Sequence, residues 1–313
     1  MTVVPVTIRT WYLVTAIAIA LGAALLIQGL RAGDASGDPV GKVKVGGQIE
    51  LTYATSTTTL TQRDETPRLE VFCPRKKFPF GATMYGMHSR MSWEGPYPHS
   101  FERLGVQRGY HITPVLFDWT PPTMANQVTL QVICGPKPGK IFDPHSIVTI
   151  GAHQSQTTVA TCPGKSHLFA GGFNLTNFTS LGGDFATQSQ ATSSKQWTVS
   201  GSAFGNFGGD LASIGYCTTG GKPFQSIEGS TVIAPSEYSY GTTPPCPGKT
   251  KLIGAGFDSS PHGAVTFAGG VFQPDQKTYL YGGYNSSSAP ATLEGYGYCL
   301  NVDKAYGDIG KQF

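Results

Sequence analysis

The sequence predicts an all-β protein: three tandem, disulfide-closed, antiparallel β-sandwich-like repeats that follow one N-terminal hydrophobic helix. Three observations lead there. The stretch Cys162-Pro-Gly-Lys-Ser-His-Leu-Phe-Ala-Gly-Gly-Phe173 returns as Cys246-Pro-Gly-Lys-Thr-Lys-Leu-Ile-Gly-Ala-Gly-Phe257, and a divergent third copy opens at Cys73-Pro-Arg-Lys. Each marker cysteine has a later companion at a similar spacing, Cys134, Cys217 and Cys299, the last two in the endings Ile214-Gly-Tyr-Cys217 and Tyr296-Gly-Tyr-Cys299. The 313 residues include 41 Gly and 22 Pro while only 13% are charged, a turn-rich composition typical of short strands.

A duplicated unit carries its own internal bridge, which pairs Cys73 with Cys134, Cys162 with Cys217 and Cys246 with Cys299. Metal ligation would want close Cys-x-x-Cys pairs or Cys/His clusters, and the sequence has neither. Cysteines that fall into three bridges point to an oxidising compartment. The Gly-Lys-Ser and Gly-Lys-Thr of the markers are not phosphate-binding loops. Val159 and Thr243 stand where the first glycine of that motif is required. The plainer reading is a Cys-Pro-Gly turn, a solvated lysine, and a strand whose glycines let another backbone come close.

Taken in order, residues 10–30 carry no charge, and the run from Trp11 to Ile27 lies between Arg9 and Arg31. That length suits a membrane span, so residues 1–31 are expected to form a retained anchor that meets the membrane through 11–30. The alternative is a cleaved signal peptide cut near Ala35. Residues 32–45 are small and polar and read as a flexible tether. Three units follow at 46–140, 141–225 and 226–302, then a tail at 303–313. Each unit opens on a strand (48–53, 146–150, 230–234) and later carries another (110–115, 197–201, 279–283), with no competing helical periodicity. Three small sandwiches packed side by side are expected, with a threefold β-prism as the alternative arrangement.

The marker, the Gly-Gly-Phe strand and the Gly-Tyr-Cys ending together resemble repeats of exported actinobacterial proteins, a largely uncharacterised family. The resemblance covers about 144–302 well and the first unit poorly, where Phe78-Pro-Phe-Gly-Ala-Thr-Met84 replaces the glycine pair. It implies export and β architecture, not an activity.

The net charge of +3 is small and dispersed, which argues against a nucleic-acid partner. No zinc spacing, nucleophile elbow or unpaired cysteine appears, so neither a cofactor nor a metal is expected. Two groups stand out. Tyr85, Met87, His88, Met91, Trp93, Tyr97 and Phe101 gather in the first unit, nearest the tether, as a candidate surface for a membrane partner or the lipid surface; the plainer reading is a hairpin covering the core. Tyr279, Tyr281, Tyr296 and Tyr298 alternate along strands and are candidates for stacking on glycan rings, although buried rings would alternate identically and are the preferred reading. The favoured function is a non-enzymatic exported cell-envelope protein that binds a wall glycan or a membrane protein. One alternative is an exported hydrolase of envelope carbohydrate using Glu94, Glu102 or Asp118. The other is a stabilising subunit of a membrane complex.

Overall fold

The computed structural model describes residues 51–60, 68–87, 97–104, 109–115, 126–176, 185–203 and 208–302. The expected anchor, tether and tail lie outside them, as do His88, Met91, Trp93, Glu94 and Asp118. Among the described residues no helix is long and apolar enough to cross a membrane.

Among the described residues each repeat contributes six strands in the same order. The first repeat has β1 (Thr52–Leu60), β2 (Leu69–Phe72), β3 (Phe78–Met87), β4 (Tyr97–Arg103), β5 (Gly109–Val115) and β6 (Asn126–Gly135). After a short link strand, β7 (Ile141–Phe142), the second has β8 (His145–Ile150), β9 (Ser155–Thr161), β10 (His167–Thr176), β11 (Phe185–Ala191), β12 (Gln196–Ser202) and β13 (Gly209–Thr218). The third has β14 (Gln225–Ile233), β15 (Tyr238–Thr242), β16 (Lys251–Ser260), β17 (Val265–Phe272), β18 (Tyr279–Asn285) and β19 (Ala291–Leu300).

Within a repeat the strands form two layers of three. One layer is β1-β6-β3, β8-β13-β10 or β14-β19-β16; the other is β2-β5-β4, β9-β12-β11 or β15-β18-β17. All pairings are antiparallel, and the bridges Cys73–Cys134, Cys162–Cys217 and Cys246–Cys299 close the repeats at sequence separations of 61, 55 and 53. The layers face each other through rings that occupy the space left by glycine. A Cβ on Gly171 would lie 1.9 Å from the Trp197 ring, and one on Gly295 would lie 2.0 Å from the Tyr281 ring.

The repeats do not simply sit side by side, because their layers merge. β4 pairs with β10 and β11 with β16, so one sheet joins the first repeat to the second and another joins the second to the third. β17 packs against β3 without joining its sheet, and the Thr83 hydroxyl donates to the Gly270 carbonyl across that contact at 3.0 Å. Each repeat is sandwich-like, as expected, but two of the three seams are continuous sheets, while the first and third repeats meet through two separate three-stranded sheets, and the marker strands of all three gather around a pseudo-threefold axis. Sharing hydrogen-bonds strand edges that three separate sandwiches would leave open.

The marker strands β3, β10 and β16 meet at that axis. Each bulges at the same place, between Pro79 and Ala82, Leu168 and Ala170, and Leu252 and Gly254. The bulges put Phe80, Phe169 and Ile253 into the core, where the Phe80 and Phe169 rings meet edge-on at 5.9 Å. Gly81 comes so close to the third repeat that a Cβ there would be 2.4 Å from the Gly254 Cα. This is the close backbone approach that the marker glycines imply.

Candidate functional site

The tyrosine rows do not form a stacking surface. Tyr279, Tyr281 and Tyr298 are fully buried, and only Tyr296 keeps partial exposure. A ring enclosed by protein offers no face to a sugar, so the preferred, buried reading describes those three residues and the glycan-stacking candidacy falls away from them. Their work is structural. Tyr281 covers Gly295, Tyr279 packs on Phe272 at 5.6 Å, and the Tyr298 hydroxyl accepts the Ala191 N–H at 2.8 Å.

Of the residues expected to form a partner surface in the first repeat, Tyr85 is half-buried in β3, with burial raising its phenol above the ordinary value. Met87 ends β3, and Tyr97 and Phe101 lie in β4.

One polar cluster that the fold brings together lies on the seam between the second and third repeats. Gln188 on β11 stands opposite Asp258 on β16. The side-chain amides of Gln188 and Gln190 donate to the same Asp258 oxygen at 2.8 and 2.9 Å, and the Ser259 N–H donates to the other at 2.7 Å. The Ser200 hydroxyl fixes the Gln188 amide by donating to its carbonyl at 2.7 Å. His262 Nδ1 lies 3.3 Å from Asp258 Oδ1, with its imidazole 54% exposed. On β19, Glu294 is the direct cross-strand neighbour of Asp258, and its carboxylate accepts the Tyr296 hydroxyl at 2.7 Å.

Strand alternation explains the cluster. Residues 188 and 190 share one face of β11, 294 and 296 share one face of β19, and Gly256 on β16 lets β11 and the Tyr298 hydroxyl come close between them. Burial raises the Asp258 carboxyl above the usual carboxylate range, and the Glu294 charge pushes the same way, against His262 and the hydrogen bonds. Burial also raises the Tyr296 phenol, as does its bond to Glu294.

The equivalent seam between the first and second repeats carries a different set. Asn174, which occupies the place of Asp258, hydrogen-bonds Glu102. Glu102 lies 4.0 Å from His111 Nε2, and Arg68 approaches the other imidazole nitrogen at 3.3 Å while pairing with Glu70 at 2.7 Å. Burial raises the Glu102 carboxyl, with Arg68 opposing. Burial, then Arg68, pushes His111 down to about 4. Glu102 is the one candidate hydrolytic carboxylate within the described residues, and its neighbours there are Asn174, His111 and Arg68.

Gln188, Gln190, Asp258 and Glu294 were not singled out from sequence. One signal was available: each full marker ends in Phe followed by a polar residue, Phe173-Asn174 and Phe257-Asp258. Among the described residues no group of three or more His, Cys, Asp or Glu is arranged to hold a metal ion. No family model matches the chain, and no curated protein matches it.

Proposed function

We propose that the protein is a non-enzymatic, exported cell-envelope protein that binds a wall glycan across the seam of its second and third repeats. The observation that carries this reading is the Asp258 carboxylate held by two buried amides beside the Glu294–Tyr296 pair. Carboxylates and amides fixed in one orientation on a rigid sheet match the alternating donors and acceptors of sugar hydroxyls, and they lose little freedom on binding. The partly exposed Tyr296 ring supplies the apolar contact that the buried tyrosines cannot. The three disulfides fit an oxidising environment outside the cytoplasm and so support the exported address.

The test is titration of the full chain with soluble wall-glycan fragments. Binding that weakens at least tenfold in Asp258→Ala and in Tyr296→Ala, and is unchanged in Glu102→Gln, supports the reading; a site built on hydrogen-bonded polar groups loses about 1–3 kcal/mol per partner removed. Glycan cleavage abolished by Glu102→Gln would replace it with the hydrolase. Failure to bind any fragment, together with stoichiometric recovery of a membrane protein, would replace it with the complex subunit.

A further inference from the structure

The described cations are gathered at one end of the molecule. The antiparallel pairing of β4 with β10 and of β11 with β16 turns successive repeats the same way, so the three disulfides and the turns beside them share an end. Of the thirteen lysines and arginines among the described residues, eleven lie in the loops and strand starts of that end, against two of the nine acidic residues. Those two acids are Asp143, which faces the buried Arg103 at 3.4 Å, and Asp275, which is hydrogen-bonded within its own turn to Thr278 and the Lys277 N–H.

The repeat itself builds this end. Every marker turn projects a cation, Lys76, Lys165 or Lys249, and the facing loop adds another in two repeats. There the Lys195 ammonium donates to the Gly164 carbonyl at 2.6 Å and Lys277 to Gly248 at 2.9 Å. Lys76, Lys137, Lys140, Lys165, Lys222 and Lys249 are all exposed. They stand on five turns rather than around one cleft. Flexible ammonium groups spread in this way read charge density, not the shape of one small ligand.

The chain outside the described residues enters at the same end. Thr52, the first residue of β1, pairs with Cys134, and the Leu51 carbonyl accepts the Gln276 amide at 3.1 Å. Just before it the sequence has Lys42 and Lys44, and before those the apolar run 11–30. We propose that the disulfide end is a docking face for an anionic lipid surface, one that lays the repeats down with their basic loops against the headgroups. This rests on the proposed exported address and on the anchor expected at 1–31. A membrane supplies a broad sheet of negative charge matching cations spread over a whole end, and the entry point of the tether brings that end to it. Such contacts are screened over about 8 Å at physiological salt, so they act only when the end lies against the membrane.

The test uses the full chain reconstituted with vesicles of phosphatidylcholine alone or with added phosphatidylglycerol, reading amine labelling of Lys137, Lys165 and Lys249 by mass spectrometry. The expected result is flotation with both vesicles, several-fold protection of these lysines only on the anionic ones, and recovery of labelling in high salt. Replacing Lys165, Lys222 and Lys249 by Gln, all exposed, should weaken the salt-sensitive part of the association about fivefold per lysine. Equal labelling on both vesicles overturns the docking face while leaving the anchor standing. Protection on anionic vesicles without flotation on neutral ones supports the docking face and removes the anchor. Flotation with neither overturns both, and protection by a soluble polyphosphate chain but not by anionic vesicles overturns the lipid assignment.

Discussion

Tyr298 of the third repeat accepts the backbone N–H of Ala191 in the second at 2.8 Å, reaching across the marker strand that separates them. Gly254 and Gly256 make this possible. The ring passes over them at a distance that leaves no room for a side chain at Gly256, where a Cβ would be 2.5 Å from the phenol oxygen. The first seam repeats the device, with the Tyr216 hydroxyl accepting the Arg103 N–H at 2.5 Å. At the third seam, where Ile133 replaces the tyrosine, the Gln131 amide oxygen accepts the Phe272 N–H at 2.8 Å. The Gly-Tyr-Cys ending is therefore a fastening between repeats.

Tyr298→Phe leaves the Ala191 N–H without its partner while keeping the ring. The expected cost is about 1–3 kcal/mol, read as a lower urea midpoint with an unchanged slope. Tyr296→Phe, whose hydroxyl meets only the Glu294 carboxylate, should cost less than half as much. Equal losses would show that the fastening contributes nothing particular.

The marker turns differ in where they place left-handed backbone. Gly164 and Gly248 carry it at φ 54° and 56°, whereas the first repeat, with Arg75 at that position, puts it on Lys76 at φ 67°. Lys76→Gly should stabilise by about 1 kcal/mol, and Gly164→Ala should destabilise by a similar amount although its Cβ would meet nothing within 4 Å. Thermal unfolding of the two variants checks both signs.

At the axis the three equivalent positions are Gly81, Ala170 and Gly254, and they are not interchangeable. A Cβ on Gly81 would strike the Gly254 Cα at 2.4 Å and the Ile253 carbonyl oxygen at 2.6 Å, whereas one on Gly254 would make ordinary contact at 3.4 Å with Tyr298. Gly81→Ala should cost about 3 kcal/mol and Gly254→Ala under 1 kcal/mol. Similar melting temperatures for the two would contradict the geometry at the axis.

His111 makes stability depend on pH. Its folded value, about 4, lies below the ordinary 6.5, so between them the unfolded chain binds more protons and stability falls as the solution is acidified. The contribution is complete above 6.5 and lost on approach to 4. Arg68, Glu70 and Glu102 face the imidazole. Glu102, raised by burial, works in the opposite sense, because the native state holds its proton more firmly. His111→Gln should therefore flatten the fall in urea midpoint between pH 6.5 and 4; an unchanged profile would assign the acid sensitivity elsewhere.

The arrangement of repeats was legible in the sequence because it is local and duplicated. The marker turns, the pairing of cysteines within each unit and the β character depend on residues near one another in the chain or on comparison of one copy with the next. The Gly-Lys-Ser and Gly-Lys-Thr triplets also read correctly as turns: Ser166 and Thr250 return N–H and hydroxyl to the Pro163 and Pro247 carbonyls. Burial of Tyr279, Tyr281 and Tyr298 was the preferred reading, but the groups that each meets were not legible. Alternation of period two says which residues share a face and never whether that face is covered.

By itself, then, the sequence determined the strands, the turns and the three covalent closures, since each follows from short-range backbone preference or from internal repetition. Only the tertiary structure decided that neighbouring repeats share their sheets, that Gln188 and Asp258 meet from positions 70 residues apart, and that the cations of separate turns gather at one end. The physical reason is common to all three. Open strand edges and buried polar groups must find partners, and the partner is set by what packing brings alongside rather than by any signal carried in the strand itself.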